Sequence, residues 1–350
     1  MKRTHFIVAI PIAAVALAVL PFTCAVVSGG APAPQPPVPE GHTPLDTLVA
    51  TERAFSAMSV AQGMKPAFLA YLAADGLVFR PGPVNGRKVW NARTNPAGTL
   101  IWEPSFAEVA GNADLGFTSG PWEFRPPAGQ GDTAYGHFVT VWARPIEWVP
   151  DSERVWSVAL DLGISHDRPA HGLGEVSLER GPGHAPMTLD RAPGVGYGVG
   201  VGTGPHGTGI AMGTGVGISA RDQRWREMKH AVNELLKVER DYGFDLRLKG
   251  ASTAIGKYAA EDVRVYREGS EPTLGKLEAI PVLDRENRDR EWISLGSRVS
   301  TSYDLGSSWG LARTRQSPPD TSAFLHLWRR DPHDRWVLVL DIENAYPKRK

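Results

Sequence analysis

The amino-acid sequence predicts an α+β fold built as two tandem domains. In each half of the chain, helix-forming segments precede a run of strands, which is the order typical of α+β domains. One strand pair occurs twice: the strand W-S-V-A-L-D-L that begins at Trp156 is echoed by W-V-L-V-L-D-I at Trp336. A glycine-rich segment separates the halves. We therefore expect two copies of one fold joined by a linker.

The length and charge of the chain agree with this organisation. At 350 residues the chain can form two domains that each bury a core. Lysine and arginine together number 38 and so do aspartate and glutamate, which gives a net charge of zero. A protein that binds nucleic acid or acidic polymers in general needs an excess of basic charge. The sequence therefore predicts no nucleic-acid partner.

The first 30 residues have the features of an export segment. Lys2 and Arg3 precede an apolar run that extends from Phe6 to about Val27, followed by small residues. This pattern is typical of a signal peptide, with a retained membrane anchor as the alternative. Cys24, the sole cysteine, excludes an internal disulfide, and lipid attachment at Cys24 is the other interpretation. We expect a periplasmic or extracellular protein that contacts membranes only through this segment, with a proline-rich tether at residues 31–42.

The first domain is expected at residues 43–166. Thr43, Pro44 and Asp46 form the signature of a helix start, because Thr43 can cap the helix and Asp46 can reach back to it. A second short helix follows, and then a strand. Four further strands are expected, separated by turn residues. The five strands are Leu77–Arg80, Leu100–Phe106, Ala113–Phe124, Tyr135–Ala143 and Val155–Gly163.

Residues 167–224 interrupt this pattern, and residues 225–346 repeat it. The interruption is rich in glycine and proline, which predicts a flexible linker. In the second domain a helix begins at Trp225 and a shorter helix covers Ala254–Ala260. The expected strands are Val263–Arg267, Glu291–Arg298, Tyr303–Thr314, Ser322–Arg329 and Trp336–Glu343.

Identities between the halves keep one order along the chain. The segment L-V-A-T-E-R-A-F from Leu48 matches L-L-K-V-E-R-D-Y from Leu235. Further on, Trp102 corresponds to Trp292. A tandem repeat is the simplest explanation.

Two motifs of the first domain resemble those of the nuclear transport factor 2-like superfamily, which includes SnoaL-like cyclases and ketosteroid isomerase-like proteins. They are D-L-G-F-T-S-G from Asp114 and W-S-V-A-L-D-L-G from Trp156. The resemblance covers residues 43–166 well and 225–346 less well. It implies two cone-shaped domains, each with N-terminal helices packed in a curved antiparallel β-sheet around an apolar pocket. Because this superfamily contains isomerases, cyclases, dehydratases and non-catalytic binders, it predicts no single function.

Glu52 is the first of three candidate catalytic residues. It follows Leu48 by four residues and precedes Phe55 by three, so it shares the apolar face of its helix. Glu239 holds the same position in the second half. A buried carboxylate must be paired, hydrogen-bonded or protonated. The functional interpretation is a general base, and the structural one is a carboxylate held by a backbone amide or an arginine.

Asp161 and His137 are the other two candidates. Strict alternation along the strand places Asp161 off the face that carries Trp156, where a hydrogen bond at the strand end is the simpler role. Ketosteroid isomerase-like enzymes carry an aspartate base in their pocket, so the resemblance keeps Asp161 as a candidate. Tyr135 and His137 share one face by alternation, and His137 is the acid-base candidate if the first domain is catalytic. An aromatic core with a hydrogen-bonded histidine is the structural alternative.

The predicted ligand-binding residues are Arg80 and an aromatic set that consists of Trp90, Trp102, Trp122 and Tyr135. Arg80 and its counterpart Arg267 could pair with a ligand carboxylate, with the glutamates, or with solvent. We expect no metal, since the histidines show no ligand spacing, and no cofactor.

Three functions remain open from the sequence. The favoured one is a non-catalytic protein that binds a small apolar molecule or a protein partner in its cone pockets. The second is an isomerase, cyclase or dehydratase that uses Glu52, His137 or Asp161. The third is a structural role in which the two domains pair as an intramolecular dimer.

Overall fold

A computed structural model of the chain confirms the predicted fold class: two tandem α+β domains, each with helices packed against a curved sheet. Each domain's sheet is antiparallel apart from the parallel pairing of the domain's first strand with its last strand. The structure describes residues 43–145, 154–185, 197–204, 207–214, 220–285, 290–317 and 319–346. The predicted export segment, the tether and Cys24 lie outside these residues. Among the described helices, none is both long and apolar enough to cross a membrane.

The described residues of the first domain form three helices and seven strands. Thr43 and Asp46 form the predicted capping box, with Pro44 at the first helical turn. The expected strand Leu100–Phe106 is two strands, since the backbone between residues 103 and 105 leaves the ladder. The sheet has the order β2-β1-β7-β6-β5-β4, and β3 also pairs with β5. The elements are α1 (Pro44–Gln62), α2 (Met64–Tyr71), β1 (Leu72–Phe79), β2 (Pro83–Asn85), α3 (Gly86–Ala92), β3 (Thr99–Trp102), β4 (Phe106–Val109), β5 (Leu115–Arg125), β6 (Ala134–Ala143) and β7 (Ser157–His166).

The expectation that residues 167–224 form a flexible linker is corrected for the part that the structure describes. A short 3-10 turn, Leu173–Glu175, precedes β8 (Glu179–Arg180), which pairs in parallel with β4. The glycine-rich stretch contributes an antiparallel pair, β9 (Tyr197–Gly204) and β10 (Gly207–Thr214). Backbone hydrogen bonds do not require side chains, so low side-chain content did not exclude strands here.

The second domain repeats the strand order of the first. Its sheet runs β12-β11-β16-β15-β14-β13, which matches β2-β1-β7-β6-β5-β4 position by position, with the single strand β13 in the place of β4 and β3. The helix α4 begins before Trp225, and α6 was not expected from the sequence because Pro281 lies inside it. The elements are α4 (Ala220–Lys249), α5 (Ala251–Tyr258), β11 (Ala259–Arg267), β12 (Thr273–Leu274), α6 (Lys276–Arg285), β13 (Arg290–Val299), β14 (Leu305–Thr314), β15 (Thr321–Arg330) and β16 (Trp336–Ala345).

A β-bulge in β7 determines which of its residues face the helices. Trp142 of β6 lies opposite Val158, but the next residue, Val141, lies opposite Leu160, so Ala159 is an extra residue. A bulge shifts the alternation of faces by one position. Asp161 therefore lies on the same face as Val158, which corrects the expectation from strict alternation. β16 has the same register shift, with Val339 as the extra residue.

The outer faces of the two sheets contribute to one apolar cluster. The two strands with matching sequences, β7 and β16, supply residues to it, and so do their neighbours β6 and β15. Its buried members include Phe106, Phe117, Val139, Leu160 and Ile164 from the first domain and Tyr266, Leu325, Leu327, Leu340 and Ile342 from the second. Burial of this apolar surface stabilises the contact between the sheets.

Two matching turns add reciprocal hydrogen bonds between the domains. The Asp114 carboxylate accepts from the Thr301 backbone N–H at 2.9 Å, and the Asp304 carboxylate accepts from the Gly111 N–H at 2.9 Å. The residue before each aspartate has a left-handed backbone, with φ of 54° at Ala113 and 58° at Tyr303. Each turn therefore supplies one carboxylate acceptor and one backbone donor to the other.

The segment after the first domain also contacts both domains. His184 Nε2 lies 2.8 Å from the buried Glu108 carboxylate, and His184 Nδ1 lies 3.4 Å from Asp304. Burial lowers the pKa of His184, but the hydrogen bond and charge of Glu108 outweigh it and hold this pKa above its usual value. Arg329 of the second domain also reaches Glu108, at 3.1 Å. The segment thus belongs to the junction of the two domains.

Candidate functional site

The first domain encloses a cavity of about 450 Å³ between its helices and the inner face of its sheet. Seven of its lining residues are aromatic, and three of the predicted ligand-binding residues are among them. The aromatic lining consists of Phe55, Phe68, Trp90, Trp102, Trp122, Phe124 and Phe138. Cavities of this size and composition are typical of sites for small molecules.

Contacts between the rings hold this wall in place. Phe68 stacks on Trp90 with a centroid distance of 4.5 Å and an interplanar angle of 23°. Phe55 meets Trp102 edge to face at 4.7 Å. Both arrangements are favourable for aromatic pairs. Arg93, at the rim, places its guanidinium 5.3 Å from the centroid of the Trp90 ring.

Polar groups gather where β7 ends, at the other side of the cavity. Asp161 lines it there and accepts a hydrogen bond from Thr140 Oγ1 at 3.4 Å. Burial raises the pKa of Asp161 to about 6, against the lowering effects of the Arg80 charge and the Thr140 hydroxyl. Arg80 lines the same cavity and is exposed. Ser165 completes the first domain's share of this polar end.

Glu52 is buried next to the cavity wall rather than in it. Its carboxylate accepts hydrogen bonds from the indole N–H groups of Trp102 and Trp142, the latter at 2.9 Å, and from the Thr118 hydroxyl. Burial raises the pKa of Glu52 to about 7, although these three donors oppose the shift. The partners are side chains, so the expected backbone amide or arginine is not what holds this carboxylate among the described residues. Glu52 positions two tryptophans.

His137 and Tyr135 do not share the cavity with the other candidates. Both lie on the face of β6 that carries Val139, which packs towards the second domain. His137 Nδ1 lies 2.7 Å from His166 Nε2, and the His137 ring lies 6.0 Å from that of Tyr266. Burial lowers the pKa of His137 to about 3, with a smaller contribution from His166. The expectation that His137 is an acid-base group of an aromatic pocket is thereby corrected.

The interior of the second domain holds a chain of charges at the corresponding positions. His326 occupies the place of Thr140, opposite Asp341 as Thr140 is opposite Asp161. Its Nδ1 lies 2.9 Å from the Glu239 carboxylate, and its Nε2 lies 3.4 Å from Asp341, an ion-pair separation rather than a hydrogen bond. Arg267 binds Asp341 with two nitrogens, at 2.8 and 3.0 Å. Arg267, the counterpart of Arg80, is therefore engaged in an ion pair within the protein.

These charges determine each other's protonation. Burial lowers the pKa of His326, but the charges of Glu239 and Asp341 outweigh it and raise this pKa to about 10. Burial raises the pKa of Asp341, but the charges of Arg267 and His326 outweigh it and hold this pKa below its usual value. The cleft over this network, about 430 Å³, is lined by charged residues that include Arg285, Arg290 and Glu343. The second domain thus has ions where the first has an aromatic cavity.

Several residues of the cavity were not among the predicted ones. Phe138 and Thr140 lie on the face of β6 that lines the cavity. Strand alternation could have identified them if His137 had been known to lie on the opposite face. Asn344 lines the cavity although it belongs to β16 of the second domain. No sequence pattern points to a contact that depends on how two domains pack.

Comparisons with known proteins address the fold. No family model matches the sequence, and no curated protein is similar to it. A ketosteroid isomerase-like protein from Erwinia carotovora atroseptica shares 15% identity over 33% of this chain and 96% of its own, with a TM-score of 0.30. A nuclear transport factor 2-like protein with a cystatin-like fold from Novosphingobium aromaticivorans shares 15% identity over 37% of this chain and 89% of its own, with a TM-score of 0.30.

A nuclear transport factor 2-like protein of unknown function from Pseudomonas putida gives 14% identity over 35% of this chain and 97% of its own, again with a TM-score of 0.30. Each match spans about one domain of this chain. The function proposed below rests on the residues of the site itself.

Proposed function

We propose that the first domain binds a small, mostly apolar molecule that carries one uncharged hydrogen-bonding group, without changing it chemically. The observation that carries this proposal is the cavity of about 450 Å³, which has aromatic walls and one polar end. A ring system would pack between Trp90, Trp102 and Trp122. Its polar group would meet Asp161 and Arg80, which offer an acceptor and a donor side by side.

The charges favour an uncharged polar group over an ion. The Asp161 carboxyl has a pKa of about 6, so it is largely ionised at neutral pH and disfavours an anion beside it. Arg80 and Arg93 in turn disfavour a cation. An amide or hydroxyl can satisfy both signs with one donor and one acceptor.

We expect Ala134→Trp to block the cavity. Ala134 lines its mouth and is exposed, so a large side chain there covers the opening with little strain on the core. The probe is 2-naphthamide, a naphthalene ring with one neutral amide, and binding is measured by titration calorimetry. We expect the affinity to fall by about tenfold or more, since the ring would lose its access to the aromatic wall.

The matched control is Asp320→Trp. Asp320 immediately precedes β15, at the position that corresponds to Ala134 of β6, and it is also exposed. Because the second domain holds ions in its interior, we expect the affinity of Asp320→Trp for 2-naphthamide to equal that of the wild type. Equal binding by Ala134→Trp and the wild type would count against the cavity as the binding site, and so would loss of binding in the control.

A second candidate function is acid-base catalysis of the isomerase, cyclase or dehydratase kind. The observation that favours it is the raised pKa of Asp161 in the cavity, near a guanidinium that could stabilise a developing enolate oxygen. A carboxylate with this pKa would accept a proton from the carbon next to a ketone and return it elsewhere.

Exchange of carbon-bound hydrogen tests this candidate directly. If Asp161 is a base, the protein accelerates deuterium incorporation next to the carbonyl of 2-tetralone in heavy water, measured by NMR. The rate should rise with pH through about 6, because the pKa is raised to this value and only the ionised carboxylate accepts a proton. Asp161→Asn should reduce the rate to the uncatalysed level. Equal rates with and without the protein would leave binding as the proposed function.

A further inference from the structure

The polar end of the first domain's cavity is built by both domains. Asn344 lies near the end of β16 in the second domain and lines the cavity of the first. Its Nδ2 donates a hydrogen bond to the Gly163 carbonyl oxygen at 2.6 Å. Gly163 and Asp161 lie two residues apart on β7 and line the same cavity as Asn344. The amide of Asn344 is therefore hydrogen-bonded to the strand that carries the carboxyl group to which we assign the ligand's polar group.

Two more contacts from the second domain hold this end of β7. The Ser165 backbone N–H donates to the Glu268 carboxylate at 2.9 Å, and the Gly269 N–H donates to the Ser165 carbonyl at 2.8 Å. Ser165 and Gly163 both line the cavity. The second domain therefore fixes the backbone on which the polar end of the site is displayed.

The residue of the first domain that is equivalent to Asn344 does not contribute a polar group in return. With the bulge counted, Asn344 follows Asp341 by three residues as Ile164 follows Asp161, so the two hold equivalent places. Ile164 is apolar, fully buried and packed in the cluster between the sheets. At this position the first domain therefore presents an apolar side chain, and in the interior of the second domain Arg267 and Glu239 already pair with Asp341 and His326.

We propose that Asn344 determines the specificity of the first domain's cavity by hydrogen-bonding the polar group of the ligand, which makes the second domain a part of the binding site. This inference rests on the proposed binding function. With Nδ2 on Gly163, the side-chain Oδ1 remains an acceptor for a ligand N–H or O–H, and Asn344 makes no other side-chain hydrogen bond within the described part of the chain. The occupant is an apolar ring with a neutral donor group.

The experiment compares two probes of nearly equal shape, 2-naphthamide and 2-ethylnaphthalene. The first has a polar group and the second has none. We expect Asn344→Leu to weaken 2-naphthamide about five- to tenfold, the effect of one hydrogen bond, and to leave 2-ethylnaphthalene within about twofold. Titration calorimetry on the two-domain chain measures both affinities.

Tyr266→Phe is the control for a loss of affinity that results only from a weakened contact between the domains. Tyr266 of the second domain shares a hydrogen bond of 2.9 Å with Ser119 of the first, away from the cavity. We expect the affinity of Tyr266→Phe for both probes to stay at the wild-type value. Asn344→Ala serves as a second variant in case the leucine does not fold.

Each other outcome overturns the inference for a distinct reason. If Asn344→Leu and Asn344→Ala bind 2-naphthamide as the wild type does, Asn344 has no part in recognition. If they weaken both probes alike, or if Tyr266→Phe weakens them too, the effect is structural. If the wild type itself binds neither probe, the proposed binding function fails first, and the inference fails with it.

Discussion

Replacing His326 by leucine is expected to lower the free energy of unfolding by about 3–5 kcal/mol, the usual cost of removing one member of a buried ion network. His326 is fully buried, and its ring lies between the carboxylates of Glu239 and Asp341. Without it, Glu239 would lose its only cationic neighbour among the described residues. Urea denaturation, followed by tryptophan fluorescence, measures the change.

Removing the stranded charge as well should return part of this loss. We expect the double variant Glu239→Gln, His326→Leu to be more stable than His326→Leu alone, because Glu239 is the carboxylate that loses its ion-pair partner, whereas Asp341 still pairs with Arg267. A fall of less than about 1 kcal/mol in the single variant would contradict the view that these charges depend on one another.

The same network predicts how stability varies with pH. The pKa of His326 is raised from 6.5 to about 10, so its contribution is complete below pH 6.5 and is lost as the pH rises towards 10. The pKa of Asp341 lies below 3.8, so its contribution is present above that value and is lost as the pH falls. The melting temperature of the wild type should therefore decline above pH 6.5 more steeply than that of His326→Leu.

The second large effect is expected at Glu52 in the first domain. Glu52→Ala leaves the indole N–H groups of Trp102 and Trp142 and the hydroxyl of Thr118 without their acceptor, in addition to a cavity. An unsatisfied buried donor costs about 1–3 kcal/mol, so we expect a loss of about 3 kcal/mol or more in urea denaturation. Glu52→Gln should cost less, because the amide oxygen can still accept a hydrogen bond. Some loss should remain, because the amide NH₂ group cannot accept from the other donors.

Glu103→Ala is the control for this prediction. Glu103 pairs with Arg53 at 2.7 Å on the surface, and Arg53 is about half exposed. Such pairs contribute about 0–1 kcal/mol, so we expect little change in the unfolding free energy. If Glu52→Ala were no less stable than Glu103→Ala, the three hydrogen bonds would not matter to the fold.

The order of elements could be read from the sequence because it follows from local signals. Helix caps, the spacing of apolar residues and turn residues depend on neighbours in the chain, and they predicted α1, the strand pair β6–β7 and its counterpart β15–β16. The exception in the second domain was α6, where an internal proline hides the helical pattern. The strands β9 and β10 were also missed, since glycine gives no periodic signal.

The site could be predicted only in part, for reasons of register and packing. Trp90, Trp102, Trp122 and Arg80 line the cavity. For the three tryptophans this position is understandable, because large aromatic side chains next to strands seldom face solvent. Tyr135 and His137 were placed on the wrong side of the sheet, since alternation tells which residues share a face but not which face it is. The ion network around His326 needs the three-dimensional pairing of β15 and β16, which no single segment encodes.

The extra residue Ala159 has a consequence for how one strand serves two compartments. Before it, the even-numbered positions of β7 turn towards the helices, and after it the odd-numbered positions do. The polar residues Asp161 and Ser165 thereby line the cavity of the first domain, while Leu160 and Ile164 pack in the apolar cluster between the two sheets. Without this shift the two sets of residues would exchange faces. Apolar side chains would then line the cavity, and polar side chains would lie between the two sheets. One inserted alanine keeps the two surfaces compatible.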